Sequence, residues 1–212
     1  MIPGAPILLS TSYLPPVQYI SKFLVADVIY IERHENFQKQ SYRNRCCIYG
    51  ANGMQCLVIP VIKHHGEKTP IASVEIDYRK PWQQVHLKSI QSAYRTSPFY
   101  EFYADEFHAC YRQRIDLLTE WNQMVLEYIL RVLDIGTRVK TTERYEKDPD
   151  GVTDLRQAIH PKARIQKPDG LFTPLAYSQV FGDRYGFIPN LSIIDLLFNE
   201  GPFARNILRM SL

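Results

Sequence analysis

The sequence has 212 residues, a length that suits one domain or one domain with an appendage. Hydrophobic residues make up 45% and charged residues 22%, as in ordinary soluble globular proteins. The formal net charge of +3 is too small to indicate a nucleic-acid partner. The chain shows neither the pattern of a signal peptide nor an apolar run of about 18 residues, so we expect no membrane span.

The first elements in chain order form a β-α-β pattern. "APILLS" is a short apolar run, and Pro15-Pro16 suits the first turn of a following helix. Val17, Ile20 and Phe23 then recur at helical spacing, and "VIYIE" is typical of a strand. Residues 6–32 are therefore predicted to form one parallel, right-handed β-α-β unit.

A hairpin is predicted next, followed by a further strand. Two apolar runs flank "GANG" in "RNRCCIYGANGMQCLVIPVI", and Asn52-Gly53 is a strong turn signal. "HHGEKTP" is a polar loop in which His64 and His65 are expected to face solvent. "IASVEID" alternates apolar and polar residues, which predicts a half-buried strand.

From about residue 81 the pattern becomes helical. Helices are predicted from "RKPW" to about Tyr94, from Pro98 to about Tyr111 and from about Ile115 to Leu133. A polar loop follows at about 143–170, "VFGDRYGFIPN" reads as irregular, and "LSIIDLLFN" predicts a short closing helix that "EGP" stops. The fold class is α/β, a single domain over 1–212. We expect a three-layer-like core, a mixed, partly parallel sheet and a helix-rich second half.

The four cysteines are Cys46, Cys47, Cys56 and Cys110, with no CxxC pair among them. We expect all four to be reduced and mostly buried, which favours the cytoplasm. No metal site is predicted. The chain also lacks the GxGxxG, GxxxxGK[ST], GxSxG and HExxH motifs, so no particular cofactor is indicated.

Four polar clusters could carry chemistry, of which "FIPNLSIIDLLFNEGP" is explained mainly by packing and helix capping. In "SYRNRC", Arg43, Asn44 and Arg45 precede a strand, where guanidinium groups can bind phosphate or carboxylate; the alternative is a solvated strand edge with salt bridges. His86 borders the apolar face of a helix and is the candidate general base; a hydrogen-bonded structural histidine is the alternative.

The third cluster is "TDLRQAIHPK", in the polar loop. Asp154, Arg156 and His160 lie close together there, and an aspartate and a histidine on a loop could orient each other. The alternative is that these charged side chains simply face water.

Taken together, several of these stretches resemble the WbqC-like protein family. The resemblance rests on "SYLPPVQYISKFLVADVIYIE", "YRNRCCI", "PWQQVHLKSIQSAYRTSPFYEFY" and "GFIPNLSIIDLLFNEGP", from about Leu8 to Pro202. The family usually has a glutamine near the end of the first strand and a tryptophan after "YLP". This chain differs there at Ser10 and Pro16, and Gln18 replaces a usual glycine.

The resemblance implies a cytosolic transferase of surface-polysaccharide precursor synthesis. Such an enzyme would transfer an acyl or aminoacyl group to an activated amino sugar, with a nucleotide-activated or lipid-linked sugar as its small-molecule partner. On that hypothesis Tyr13 and Tyr94 line the sugar pocket, Arg43 and Arg45 hold an anion, and Asp154 and His160 close the site. Two alternatives stay open: a non-catalytic scaffold protein, and a nucleotidyltransferase-like enzyme that would lack the usual HxGH motif. The sequence does not determine the oligomeric state.

Overall fold

The structure is a computed structural model that describes residues 4–62, 68–162 and 164–212. The expectation that His64 and His65 face solvent concerns residues outside these ranges. No helix in the described ranges is long and apolar enough to cross a membrane.

The amino-terminal unit has the predicted order. Strand β1 (Ile7–Ser10) leads into helix α1 (Val17–Ser21) and a 3-10 turn (Lys22–Leu24), and strand β2 (Val28–Glu32) follows. β1 and β2 pair in parallel over their whole length, with Ser10 opposite Glu32. Both strands are almost entirely buried, as expected for a parallel strand covered on both faces.

The predicted hairpin is also confirmed. Strands β3 (Arg45–Gly50) and β4 (Gly53–Val58) are antiparallel, with Gly50 opposite Gly53 across a two-residue turn. Gly53 has a φ of +95°, a backbone conformation that residues with a side chain rarely adopt. This hairpin is a sheet of its own, so the strands do not join into one mixed sheet.

The strand predicted for "IASVEID" is wrong. Ile71–Ser73 is a 3-10 turn, and the residues after it make only isolated bridges, to Val61 and Leu117. The buried apolar residues here are Ile71, Val74 and Ile76. Their spacing of three and then two reflects a turn followed by extended backbone, which imitates alternation in the sequence.

Three long helices confirm the helical pattern of the middle of the chain: α2 (Trp82–Tyr94), α3 (Tyr100–Arg112) and α4 (Leu118–Val132). A one-turn helix, α5 (Gly182–Tyr185), lies within the stretch expected to be irregular. The closing helix α6 (Ile193–Glu200) is present. "EGP" does not end the helical region, because a 3-10 turn (Gly201–Phe203) continues into α7 (Ala204–Met210).

The polar loop supplies the last strand of the main sheet. After β5 (Arg138–Thr141), the two-residue strand β6 (Thr153–Asp154) pairs with β1, giving the order β5-β2-β1-β6 with all strands parallel. The α/β fold class is therefore confirmed. One hydrophobic cluster runs from β1 to α7, whereas the single-domain organisation stays a prediction.

Candidate functional site

The sheet changes direction between β1 and β6. From β1 the chain moves to β2 and then β5 on one side, whereas β6 lies on the other side of β1. In open parallel sheets, ligands bind outside the carboxyl ends of the strands at such a reversal. Here that position lies beside Ser10, which ends β1, and Asp154, which ends β6.

A cleft occupies this position, and we call it the switch-point cleft. Its lining combines the end of β1 and the loop after it, one residue of α1, the segment after β6 and two residues of the turn that precedes the hairpin. The lining residues are Leu9, Ser10, Thr11, Ser12, Tyr19, Tyr42, Arg43, Leu155, Arg156 and Ile159. The space open to a water molecule is only ≈ 10 Å³, about enough for one water. A sugar therefore requires movement of the residues that cover the cleft.

Arg43 lies buried on one side of the cleft and is held on several sides. Its Nε donates to Glu35 Oε1 at 2.8 Å, and its Nη2 donates to the second oxygen of Glu35 and to Ser10 Oγ at 2.9 Å. Nη1 reaches Gln38 Oε1 at 3.4 Å. This two-point pairing leaves little of the guanidinium group for a ligand.

Arg156 lies on the opposite side in a similar arrangement. It donates to both carboxylate oxygens of Asp154, at 2.9 and 2.7 Å, and to Glu32 Oε2 at 3.1 Å. Burial opposes the charge of Arg156, but Asp154 and then Glu32 outweigh burial and raise its pKa. Two guanidinium groups thus face three carboxylates around the cleft, so these side chains do not form a positively charged site.

His160 lies next to this arrangement and is buried. Its Nδ1 accepts the backbone N–H of Lys162 at 3.0 Å, so in the neutral ring Nε2 carries the hydrogen. Burial, and then the charge of Arg43, lower the pKa of His160. At neutral pH the ring is therefore a hydrogen-bond donor through Nε2. Asp154 pairs with Arg156 rather than orienting His160.

A wider groove lies on the other side of Thr11, and we call it the α4 groove. It is lined by Thr11, Ile31, Arg33, Thr119, Glu120, Gln123, Met124, Glu127 and Thr141, and has a volume of ≈ 230 Å³. These residues come from the carboxyl ends of the strands and the first turns of α4. Thr11 lines both depressions, so they adjoin along one edge of the sheet.

Tyr13 and His86 meet in the core rather than in the cleft. The Tyr13 hydroxyl lies 2.7 Å from His86 Nδ1 and 2.6 Å from the Tyr111 hydroxyl, and Trp82 and Trp121 pack against the Tyr13 ring. Burial lowers the pKa of His86 to about 4, so the ring is neutral near pH 7. Neither side chain lines the switch-point cleft, and the catalytic role of His86 stays a prediction.

Tyr94 belongs to a second buried network. Its hydroxyl donates to Asp195 Oδ1 at 2.8 Å and accepts the backbone N–H of Tyr49 at 3.0 Å. Tyr177 and Gln179 donate to the other oxygen of Asp195. Burial raises the pKa of this carboxyl group despite the three hydrogen bonds. The network links α2 to α6 and does not line the cleft.

Asn44 and Arg45 lie at the start of the hairpin. Asn44 is buried and donates to the Ile59 carbonyl at 2.8 Å, which is a structural role. Arg45 is half-buried, and its Nε is buried without a hydrogen-bond partner among the described residues. Arg45 lies near Tyr42, because its charge opposes the rise that burial causes in the pKa of Tyr42.

The sequence reasoning found Arg43, Arg156 and Asp154 but missed the two other carboxylate partners, Glu32 and Glu35, and Tyr42. A usable signal existed for Glu32, because it is the polar residue that ends the otherwise apolar strand "VIYIE" of a predicted parallel pair. Polar residues at that position gather at the carboxyl edge of a sheet. Glu35 offered no comparable signal, since it lies in a loop.

An α/β protein with a polar cleft at the reversal point of a parallel sheet belongs to a very broad class. The sequence pattern of the WbqC-like protein family matches residues 11–173. The chain therefore belongs to the WbqC-like protein family. The matched range contains the residues that line the cleft, including Arg43 and Arg156, except Leu9 and Ser10, and it also contains His160. It ends before the "GFIPNLSIIDLLFNEGP" segment, on which the resemblance partly rested.

A protein from Mycobacterium tuberculosis (strain ATCC 25618 / H37Rv), named only as "Uncharacterized protein Rv1507c", is similar over nearly its whole length. The two are 26% identical, and the aligned region covers 95% of this chain and 96% of the relative. No solved structure matches the chain significantly.

Proposed function

We propose that this protein is a transferase of bacterial surface-polysaccharide precursor synthesis. It would move an acyl or aminoacyl group to the amino group of an activated sugar. The observation that carries the proposal is the pair of adjoining depressions at the carboxyl edge of the sheet, which share Thr11. A transferase must hold a donor and an acceptor side by side, and near-contact orientation lowers the barrier of a two-substrate reaction.

The hydroxyl groups of the cleft suit a sugar. Ser10 ends β1, Thr11 and Ser12 follow it, and Tyr42 lines the same cleft. Hydroxyl groups both donate and accept hydrogen bonds, which matches the hydroxyl groups of a sugar ring. The neutral His160 ring adds a donor beside them.

Arg45 is the residue that we propose to hold a phosphate or carboxylate. Arg43 forms an ion pair with Glu35, and Arg156 forms ion pairs with Asp154 and Glu32. Arg45 has no ion-pair partner among the residues that the structure describes, and it lies beside Tyr42. On this proposal Arg45 binds the charged group of the substrate, and Arg43 has a positioning role.

His86 can act as the proton acceptor only if the core opens. Its neutral ring has the right protonation state at pH 7, but Trp82, Tyr13 and Tyr111 enclose it. The conservative variant His86→Gln separates the two roles. Loss of turnover at an unchanged melting temperature supports catalysis by His86, whereas a lowered melting temperature with turnover retained by the folded fraction excludes it.

A nucleotide-activated sugar is a cytoplasmic metabolite, so the proposal places the protein in the cytoplasm. The four cysteines fit this compartment, because none forms a disulfide.

A binding protein without catalytic activity is the second candidate. One observation favours it: the charged side chains around the switch-point cleft are paired with one another. A binding protein predicts that ligands raise the melting temperature without any chemical change in the ligand.

A thermal-shift screen with mass detection of products tests both candidates. Nucleotide sugars, acyl-CoA, amino acids and nucleoside triphosphates with Mg²⁺ are added singly and in pairs, since a tight ligand raises the melting temperature. Tyr42→Phe removes a cleft hydroxyl and should weaken the shift. Tyr185→Phe, whose hydroxyl contacts Ala51 at the hairpin turn, is the matched control.

The result expected for the transferase is a shift with a nucleotide sugar and a new acylated product. A shift without product indicates the binding protein. A shift only with nucleoside triphosphate and Mg²⁺ would instead favour the nucleotidyltransferase, and no shift with any sugar nucleotide would contradict the leading proposal.

A further inference from the structure

Two cysteines lie directly opposite each other on the hairpin. Cys47 on β3 pairs with Cys56 on β4, and their Sγ atoms are 2.7 Å apart. Cys46 and Cys47 are neighbours in the sequence and cannot easily bridge each other. The hairpin register brings together two thiols that are nine positions apart.

The hydrogen-bond pattern makes this the closer type of cross-strand pair. Ile59 donates its N–H to the Asn44 carbonyl, so residues 44 and 59 form a hydrogen-bonded pair. The two pair types alternate along an antiparallel ladder, which makes Cys47 and Cys56 a non-hydrogen-bonded pair. Cα atoms in such pairs are about 4.5 Å apart, within the range that a disulfide bond spans.

The positions of Cys46 and Cys110 exclude disulfide bonds between them and the Cys47–Cys56 pair. Cys46 points to the other face of β3, pairs with Leu57 and is buried in the main hydrophobic cluster. Cys110 lies on α3, where its thiol contacts the carbonyl of Glu106. Cys56 is exposed, and Cys47 is buried beneath it against Tyr49 and Leu191.

We propose that Cys47 and Cys56 form a reversible disulfide when the protein meets a low-molecular-weight disulfide such as oxidised glutathione. The inference is independent of the proposed function. It assigns the outer face of the hairpin as a thiol-modification site with one solvent-facing and one buried sulfur.

The reaction proceeds as two thiol–disulfide exchanges. The Cys56 thiolate attacks one sulfur of the small disulfide, forms a mixed disulfide and releases one small thiolate. Cys47 then attacks the Cys56 sulfur, the mixed disulfide bond breaks, and the second small thiolate leaves with the Cys47 proton. Two protein thiols are oxidised to one disulfide, and one small disulfide is reduced to two thiols.

The order of attack follows from exposure. Cys56 is open to solvent, whereas burial, and then the neighbouring Cys56, raise the pKa of Cys47 to about 12. A buried thiol of high pKa reacts poorly with an external reagent. The Cys47 thiol can react once the Cys56 sulfur, in its mixed disulfide, lies directly beside it.

The site also adjoins the switch-point cleft. After burial, the nearby thiols of Cys47 and Cys56 are the next causes that raise the pKa of Tyr42, so all three groups are neighbours. Tyr42 lines the cleft. Oxidation of the pair therefore changes the surroundings of a cleft residue without removing any cleft side chain.

The test uses the full chain, reduced and then freed of reductant. It is treated with oxidised glutathione, its remaining thiols are alkylated with N-ethylmaleimide, and intact mass and peptide maps are recorded. We expect two of the four thiols to escape alkylation, with a peptide that links Cys47 to Cys56 and that dithiothreitol separates again.

Variants define the roles of the two sulfurs. Cys47→Ser should stop at a glutathione adduct on Cys56. Cys56→Ser should leave all three remaining thiols, Cys46, Cys47 and Cys110, open to alkylation, and Cys110→Ser should form the same link as the unaltered protein. The unaltered protein alone decides the proposal, so an unfolded variant does not weaken the test. A stable glutathione adduct without the linked peptide, a link to Cys46 or no loss of thiols would each overturn it.

Discussion

The switch-point cleft and the aromatic cluster between α2, α3 and α4 both bury polar side chains, but the hydrogen-bond partners of these side chains differ in charge. The cleft uses charged groups, with Arg43 bound to Glu35 and Arg156 bound to Asp154 and Glu32. The aromatic cluster uses neutral groups, in which the Tyr13 hydroxyl joins His86 and Tyr111.

The difference in charge determines how much stability each region loses when one hydrogen-bond partner is removed. Removing one member of a buried ion pair leaves an uncompensated charge, whereas removing one member of a neutral hydrogen bond leaves only an unsatisfied dipole. The cleft should therefore be the more sensitive region to substitution, and the aromatic cluster the more sensitive one to acid.

The largest effect is expected from Arg156→Met. The variant keeps much of the side-chain bulk but leaves Glu32, which is buried, without its cation. We expect the free energy of unfolding, measured by urea denaturation, to fall by about 3–5 kcal/mol.

Arg131→Met is the matched control for that variant. Arg131 pairs with Glu106 on the surface, where both side chains are about 60% exposed, and its loss should change stability by about 0.5 kcal/mol or less. Equal losses for the two arginine variants would show that the cleft pair is not a buried ion pair in solution.

The second prediction concerns acid. Burial lowers the pKa of His86 from 6.5 to about 4, so between those values the unfolded chain binds a proton that the folded protein does not. Stability from this group is complete above pH 6.5 and is lost as the pH falls towards 4, by about 3 kcal/mol in total.

The measurement is urea denaturation at several pH values from 7 to 4, on the unaltered protein and on His86→Phe. The phenylalanine variant cannot bind this proton, so its stability should fall less steeply with acid. The other histidines titrate equally in both proteins. Parallel curves would contradict the neutral, buried state of His86.

The smallest of the three effects is expected from Tyr13→Phe. The substitution removes one hydroxyl and leaves His86 and Tyr111 without their shared partner. We expect a loss of about 1–3 kcal/mol in the free energy of unfolding. Tyr30→Phe, on half-buried Tyr30 of β2, is the control, because no described group bonds its hydroxyl. If Tyr13→Phe lowers the free energy of unfolding no more than the control does, the hydrogen bonds of the Tyr13 hydroxyl do not stabilise the fold.

The elements that the sequence predicted well are those with a local signal. The β1-α1-β2 unit, the hairpin and helices α2 to α4 follow from periodicity, prolines and the Asn52-Gly53 turn. β6 has only two residues and therefore no period, so its position in the sheet could not be read from the chain. The same limit hid the cleft, because the segment that directly follows β6 forms one side of it.

The site was also predicted only where the sequence carries a local signal. Of the predicted residues, Arg43 and Arg156 line the cleft, and His160 is close enough for the charge of Arg43 to lower its pKa. Polar residues beside strand ends are a local signal, which is why the sequence could indicate them, and their role in binding stays a prediction. Their partners, and the direction in which His86 points, depend on packing between distant elements. The Cys47–Cys56 pair is different: counting outward from the predicted turn would have placed the two thiols opposite each other.

The sheet order also has a consequence for the time at which the site forms. β1 lies at the centre of the sheet, but its neighbour β6 begins only at Thr153. During synthesis, β1 can pair with β2 as soon as about forty residues have left the ribosome, whereas its other edge stays open until most of the chain has followed. The carboxyl edge that carries the cleft is therefore a late product of folding, completed when β1 pairs with a strand that lies far along the chain.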